Sequence, residues 1–166
     1  MTKTISIKGL ITEDFINYKK KSLVVEFPHC DFKCERECGI QCCQNSPLAQ
    51  SPNTTTSISR LVNLYTSNDI TEAVVFQGLE PLDSYDEMLE FVKALREKTL
   101  DDIVIYTGYN ENEIEDKIEE LKQFPNIIIK FGRFIPNDAP HYDDVLGVWL
   151  ASHNQYAKKI SWKEDD

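Results

Sequence analysis

The chain has 166 residues, 41% of them hydrophobic, enough for one real core; no Pro-, Gly- or Ser-rich stretch divides it, so a single domain over 1–166 is expected. Its net charge of −10, from 28 acidic against 18 basic residues, leaves no broad cationic surface to neutralise phosphates and argues against a nucleic-acid partner. The apolar runs are far shorter than a membrane span and the N-terminus has no apolar signal segment, so a soluble cytoplasmic protein with no membrane partner is expected.

In chain order, SLVVEF at 22–27 reads as the first strand of a sheet. It is followed by FPHCDFKCERECGIQCCQNS, which holds all five cysteines, Cys30, Cys34, Cys38, Cys42 and Cys43, within 28–45. In a reducing compartment such clustered thiols are expected to be metal ligands or redox groups, and an odd number suits disulfide pairing poorly. Next, SISRLVNLYTS places Ile58, Leu61, Val62 and Tyr65 at helical spacing behind a Thr/Ser cap, and EAVVF at 72–76 is a short buried strand. Ser84 with Glu87 three residues later has the form of a capping box, ahead of Met88, Phe91, Val92 and Leu95 on one face and the strand DIVIY at 102–106. A third unit places Ile114, Ile118 and Leu121 on a helix over 111–122, and the Pro125-Asn126 turn leads into IIIKF at 127–131.

Strands alternating with ten-to-fifteen-residue helices imply parallel pairing in an α/β sheet. A closed barrel of eight units needs about 250 residues, so a partial, incomplete β/α barrel or an open sheet is expected. Ligands in such sheets sit beyond the carboxyl ends of the strands. The cysteine loop, QGLEP, TGY and GRF each follow one of the four strands and are expected to converge on that edge.

Thiolates on one tight loop suit zinc or iron–sulfur chemistry. A structural zinc site commonly takes two short-spaced pairs well apart in sequence, and the second pair is missing. A cubane held by three cysteines instead leaves one iron open to a substrate or cofactor. FPHCDFKC followed by Cys-x-Asn, then GLEP, then YTGY, resembles the radical S-adenosylmethionine enzymes, whose usual pattern is cysteine, three residues, cysteine, two residues, cysteine. Here an insertion, ERECGIQC, follows Cys34. The resemblance implies Cys30, Cys34 and Cys43 as ligands of a [4Fe-4S] cluster, with Cys42 or Cys38 as alternatives to Cys43.

Within that superfamily the chain most resembles the activating proteins of anaerobic ribonucleotide reductases. QGLEPL resembles their Gly-Gly-Asp/Glu-Pro-Leu loop with Leu79 in place of one glycine; IVIYTGY resembles the Thr/Ser-Gly-Tyr loop; GRF and ASHNQ at 151–155 resemble their closing segments. The likeness implies a cluster and S-adenosylmethionine as cofactors, with reductive cleavage to a 5′-deoxyadenosyl radical. It implies a glycyl radical enzyme as partner and flavodoxin or ferredoxin as electron donor. Phe32, Gly78, Glu80, Thr107, Gly108 and Tyr109 would bind the cofactor: Gly78 by close backbone approach, Glu80 by accepting from the ammonium, Thr107 to Tyr109 from the next loop, and Phe32 beside the cluster or adenine. Two other readings stand beside this one, radical chemistry on a small molecule or peptide and a non-catalytic zinc or iron–sulfur module. His29, His141 and His153 share no ligand spacing and are expected in surface or hydrogen-bonding roles.

Overall fold

A computed structural model describes residues 3–28 and 53–162; the cysteine-bearing stretch 29–52, with Phe32 and all five thiols, lies outside the described residues. The four apolar runs form strands β3 (Ser22–Phe27), β5 (Ala73–Gly78), β6 (Asp102–Tyr106) and β7 (Ile127–Phe131), paired in parallel in that order. Two antiparallel strands that the hydrophobic pattern does not announce complete a mixed sheet of six. β2 (Gly9–Asp14) adds beside β3, and β10 (Tyr156–Lys159) adds beside β7. The strand order β10-β7-β6-β5-β3-β2 is open, so among the described residues no barrel closes. Two further two-stranded antiparallel sheets are formed by β1 (Thr4–Ile7) with β4 (Thr54–Ser57) and by β8 (His141–Asp143) with β9 (Val148–Leu150).

Helix α1 (Ile58–Thr66) starts where the Ser57 side chain accepts from Arg60 N at 3.1 Å, as its sequence cap leads one to expect. It buries Ile58, Leu61, Val62 and Tyr65; α2 (Tyr85–Arg96) buries Met88, Phe91, Val92 and Leu95. The Ser84–Glu87 capping box does not form. The chain enters α2 from a 3₁₀ turn over Pro81–Ser84, which holds Ser84 at φ −121°, ψ 42° with no side-chain bond to the helix, and Glu87 instead accepts from Ser6 N of β1 at 3.1 Å. The third helix is shorter than its periodicity suggests: a 3₁₀ turn over Glu111–Glu113 precedes α3 (Glu115–Leu121), with the break at Ile114.

The three helices among the described residues pack on one face of the sheet. Leu23, Val25, Phe27, Val74, Phe76, Ile103, Ile105, Ile127, Ile129 and Phe131 point to them and form the main core. Phe76 lies at its centre, edge-on to Phe27 and stacked with Phe91 at ring separations of 5.4 and 5.3 Å. Full burial of one such ring is worth roughly 1.5–3 kcal/mol.

The other face is layered. Because side chains alternate along each strand, register brings Ser22, Ala73 and Asp102 into one row and Val24, Val75, Val104 and Ile128 into the next. The third row, nearest the carboxyl ends, is polar. Glu26 stands opposite Gln77 and Tyr106 opposite Lys130, while Phe76 opposite Ile105 brings Gln77 next to Tyr106. Tyr18, Leu146 and Leu150 cover the apolar row. Below it, Tyr18 Oη donates to Asp102 at 2.7 Å, and Lys20 adds an ion pair to the same oxygen at 2.9 Å. No helix among the described residues is long and apolar enough to cross a membrane.

Candidate functional site

The polar row opens into a cavity of about 370 Å³ at the carboxyl edge of the parallel strands. Its wall is built by Gln77 to Glu80 at the end of β5 and beyond it, Tyr106 to Gly108 from the last residue of β6 onward, and Lys130 with Gly132 at the end of β7. Three of the four loops expected at this edge therefore meet there. The fourth begins beside them, since Phe27, the last residue of β3, is the register partner of Gly78, and the chain runs on from there toward residue 29.

Gly78 lies at φ +93°, and a Cβ on it would come within 2.5 Å of Phe27 N and 2.8 Å of Glu26 Cα. Only glycine fits this position, and the backbone it approaches is that of β3. Two residues on, Glu80 is 5% exposed. Its Oε2 accepts from Leu82 N at 3.2 Å, capping the 3₁₀ turn, and its Oε1 accepts from Gly108 N at 2.7 Å, tying the loop after β5 to the loop after β6. Burial pushes the Glu80 carboxyl from its ordinary 4.5 up to about 7, with nearby Asp83 adding to the rise; the Gly108 and Leu82 N–H groups and Thr107 oppose it. Near neutrality the carboxyl stands between its two protonation states.

Thr107 is buried, and its hydroxyl oxygen accepts from Tyr109 N at 3.0 Å. Thr107 and Gly108 line the cavity, as their loop position implied. Tyr109 does not: its hydroxyl donates to Asp83 at 2.6 Å and its ring packs against the helix-side core, because the backbone has turned away by that residue. Phe32 and the expected ligands Cys30, Cys34 and Cys43, with Cys38 and Cys42, lie outside the described residues.

Four residues not singled out from sequence for the site belong to it. Asn17, in the connection between β2 and β3, forms the cavity floor: its side-chain oxygen accepts from Gln77 Nε2 at 3.0 Å and its carbonyl accepts from the Tyr106 hydroxyl. Burial first, then Asp14 and Asp143, push the Tyr106 phenol well above its usual range, so it stays protonated and donates. Lys130, 8% exposed, donates to Gly132 O at 3.2 Å and lies 5.8 Å from the Tyr106 ring centre. A signal for Gln77, Tyr106 and Lys130 was present: each is the polar member near the end of an otherwise apolar strand run. Asn17 gave none, since only tertiary folding brings it under the sheet.

Among the described residues no three His, Cys, Asp or Glu side chains converge to hold a metal ion. His141 meets the Gln155 carbonyl at 2.6 Å and His153 meets Asp138, the hydrogen-bonding roles expected of them. The donor chemistry for a metal centre thus rests with the thiols of residues 30–43.

Comparison with curated proteins and with solved structures gives no match. Comparison with protein families matches residues 21–157, from the residue before β3 into β10, to the 4Fe-4S single cluster domain. The match takes in the whole parallel sheet, the five-cysteine stretch and the cavity wall, and on that extent the chain belongs to the family of 4Fe-4S single cluster domains, iron–sulfur proteins.

Proposed function

We propose that the chain is a radical S-adenosylmethionine enzyme of the short activating type, installing a glycyl radical in a protein partner such as an anaerobic ribonucleotide reductase. The observation that carries the reading is the pairing of Phe27 with Gly78: the cysteine-bearing stretch departs from the strand edge where Gly78 to Glu80 form the cavity wall. One-sided helices and a layered opposite face support a partial β/α barrel as its frame. When bound, the cluster and S-adenosylmethionine together supply a one-electron cleavage that yields methionine and a 5′-deoxyadenosyl radical.

The residues present suit that cofactor. Cys30, Cys34 and Cys43 would hold the cluster, with Cys42 or Cys38 as alternatives to the third. Glu80 offers carboxylate oxygens to an ammonium, and Lys130 brings a cation to the same cavity for a carboxylate. Asn17, Gln77 and Tyr106 close the floor with hydrogen bonds already made to one another, so the chamber is shaped before a ligand enters and keeps water from below. Its volume, near the small end of ligand sites, suits one small molecule, which favours a substrate carried on a protein over a second free metabolite. An electron donor such as flavodoxin or ferredoxin would reduce the cluster.

Anaerobic reconstitution tests the reading. The protein should take up about four irons on three cysteinyl ligands, and after reduction with S-adenosylmethionine it should form 5′-deoxyadenosine. Uptake of zinc alone, with no cleavage of the cofactor, would end the proposal.

A further inference from the structure

One buried side chain ties the turn 151–155 to the loop after β7. Gln155, 5% exposed, stands just before β10 and lines the cavity. Its Oε1 accepts from Ala151 N at 3.0 Å and from Ser152 N at 3.1 Å. Two N–H groups on one oxygen leave the amide a single orientation, and its Nε2 donates to Gly132 O at 3.3 Å. Asn154 Nδ2 holds the next carbonyl, Arg133 O, at 2.8 Å. The approach is close: Gly132 has φ +105°, and a Cβ on it would come within 3.1 Å of Asn154 O and 3.2 Å of Gln155 Cα.

The carbonyl that Gln155 anchors has a second donor. Lys130 Nζ donates to Gly132 O at 3.2 Å, and among the described residues Lys130 is the only Lys, Arg or His that lines the cavity. The cavity's cation and the Gln155 amide therefore meet on one oxygen atom.

We propose that Gln155 is a positioning residue of the cavity: by anchoring the Gly132 carbonyl it fixes where the Lys130 ammonium stands, and so sets the cavity's affinity for a ligand carboxylate. A lysine ammonium is a point charge on a flexible stem, directed only by the acceptors it meets. The amide is neutral, so it holds the shared carbonyl without drawing on the charge of Lys130. A carboxylate in its place would still accept from Ala151 N and Ser152 N and keep the turn, but it would repel the Gly132 oxygen and take the ammonium for itself. That the ligand carboxylate belongs to S-adenosylmethionine rests on the radical-enzyme reading above; the anchor itself does not.

Gln155→Glu isolates the anchor, since it keeps both acceptor bonds to the turn and removes only the donor to Gly132. Binding of S-adenosylmethionine and of its decarboxylated analogue is measured by anaerobic calorimetry on the full-length, cluster-loaded protein. The readout is the ratio of the two affinities, because a general loss of structure weakens both alike. The ratio should fall at least about fivefold in Gln155→Glu and in Lys130→Met, and Gln155→Glu should change it less than about twofold once Lys130→Met is present. A second measurement needs no cofactor. The introduced carboxylate should hold the Lys130 proton, so acetylation of Lys130 by acetic anhydride at about pH 9, followed by mass spectrometry with Lys19 as internal reference, should slow at least about threefold. An unchanged ratio in Gln155→Glu, an equal loss of both ligands, a further fall in the Lys130→Met background, or an unchanged acetylation rate overturns the proposal. If the wild-type protein binds neither ligand, slowed acetylation retains the anchor while the S-adenosylmethionine reading falls. Binding and cleavage of S-adenosylmethionine with an unchanged ratio leave that reading and remove the anchor.

Discussion

The Glu80 carboxylate accepts from the Gly108 N–H at 2.7 Å, so one buried side chain joins the loops that follow two adjacent parallel strands. The same carboxylate caps the 3₁₀ turn ahead of α2 through Leu82 N. A structural duty and a proposed ligand duty fall on one residue, and the two separate under substitution.

Glu80→Gln retains one acceptor but turns an NH₂ group toward a backbone N–H, leaving a buried donor without its partner. At pH 5 the variant should lose about 1–3 kcal/mol of stability in denaturant unfolding. Glu80 binds its proton more tightly when folded, at about 7 against 4.5, so its own titration favours the folded state below about 4.5 and that contribution is lost as pH rises through about 7. Glutamine does not titrate, so the wild-type advantage should shrink by up to about 3 kcal/mol between pH 5 and pH 8. A gap independent of pH would place the Glu80 pKa near its ordinary value. In the activating-enzyme reading, iron content stays at wild-type level while S-adenosylmethionine binding is lost; a metal-only module keeps both its metal and its function.

Gly78→Ala puts a Cβ 2.5 Å from Phe27 N at a residue with φ +93°. The backbone strain and the overlap together should cost about 2–5 kcal/mol, visible as a lower denaturation midpoint whether or not cofactor is present. A variant of wild-type stability would show that β3 can shift away from β5 at this point.

Ser84→Ala distinguishes a helix cap seen in sequence from one made in space. An N-cap serine normally contributes about 1 kcal/mol. Here the Ser84 hydroxyl is buried with no hydrogen-bond partner among the described residues, so its removal should leave stability unchanged or raise it by up to about 1 kcal/mol. A loss of about 1 kcal/mol in thermal or urea unfolding would restore the cap.

Alanine substitutions through the cysteine stretch assign the cluster ligands. Cys30→Ala, Cys34→Ala and Cys43→Ala should each fail to hold a stable four-iron cluster after anaerobic reconstitution, while Cys38→Ala and Cys42→Ala should keep about four irons. Iron analysis with electron paramagnetic resonance of the reduced protein reads the outcome. A cluster retained in Cys43→Ala and lost in Cys42→Ala or Cys38→Ala reassigns the third ligand.

The amino-acid pattern alone determined the four parallel strands, the positions of the three helices and the edge where their loops meet. Alternation and helical periodicity are local, and the apolar runs at 22–27, 73–76, 102–106 and 127–131 leave little choice of element. It also determined that all five thiols sit in one stretch after the first strand. Only the tertiary structure decided that Glu26, Gln77, Tyr106 and Lys130 share a polar row, that Asn17 closes the floor beneath it, and that Tyr109 leaves the site for Asp83. Those relations join groups far apart in the chain, as in the bond from Tyr106 to Asn17 across 89 positions. Strand register and the way the closing segments fold back over the sheet set such distances, and neither is written in any short window of sequence.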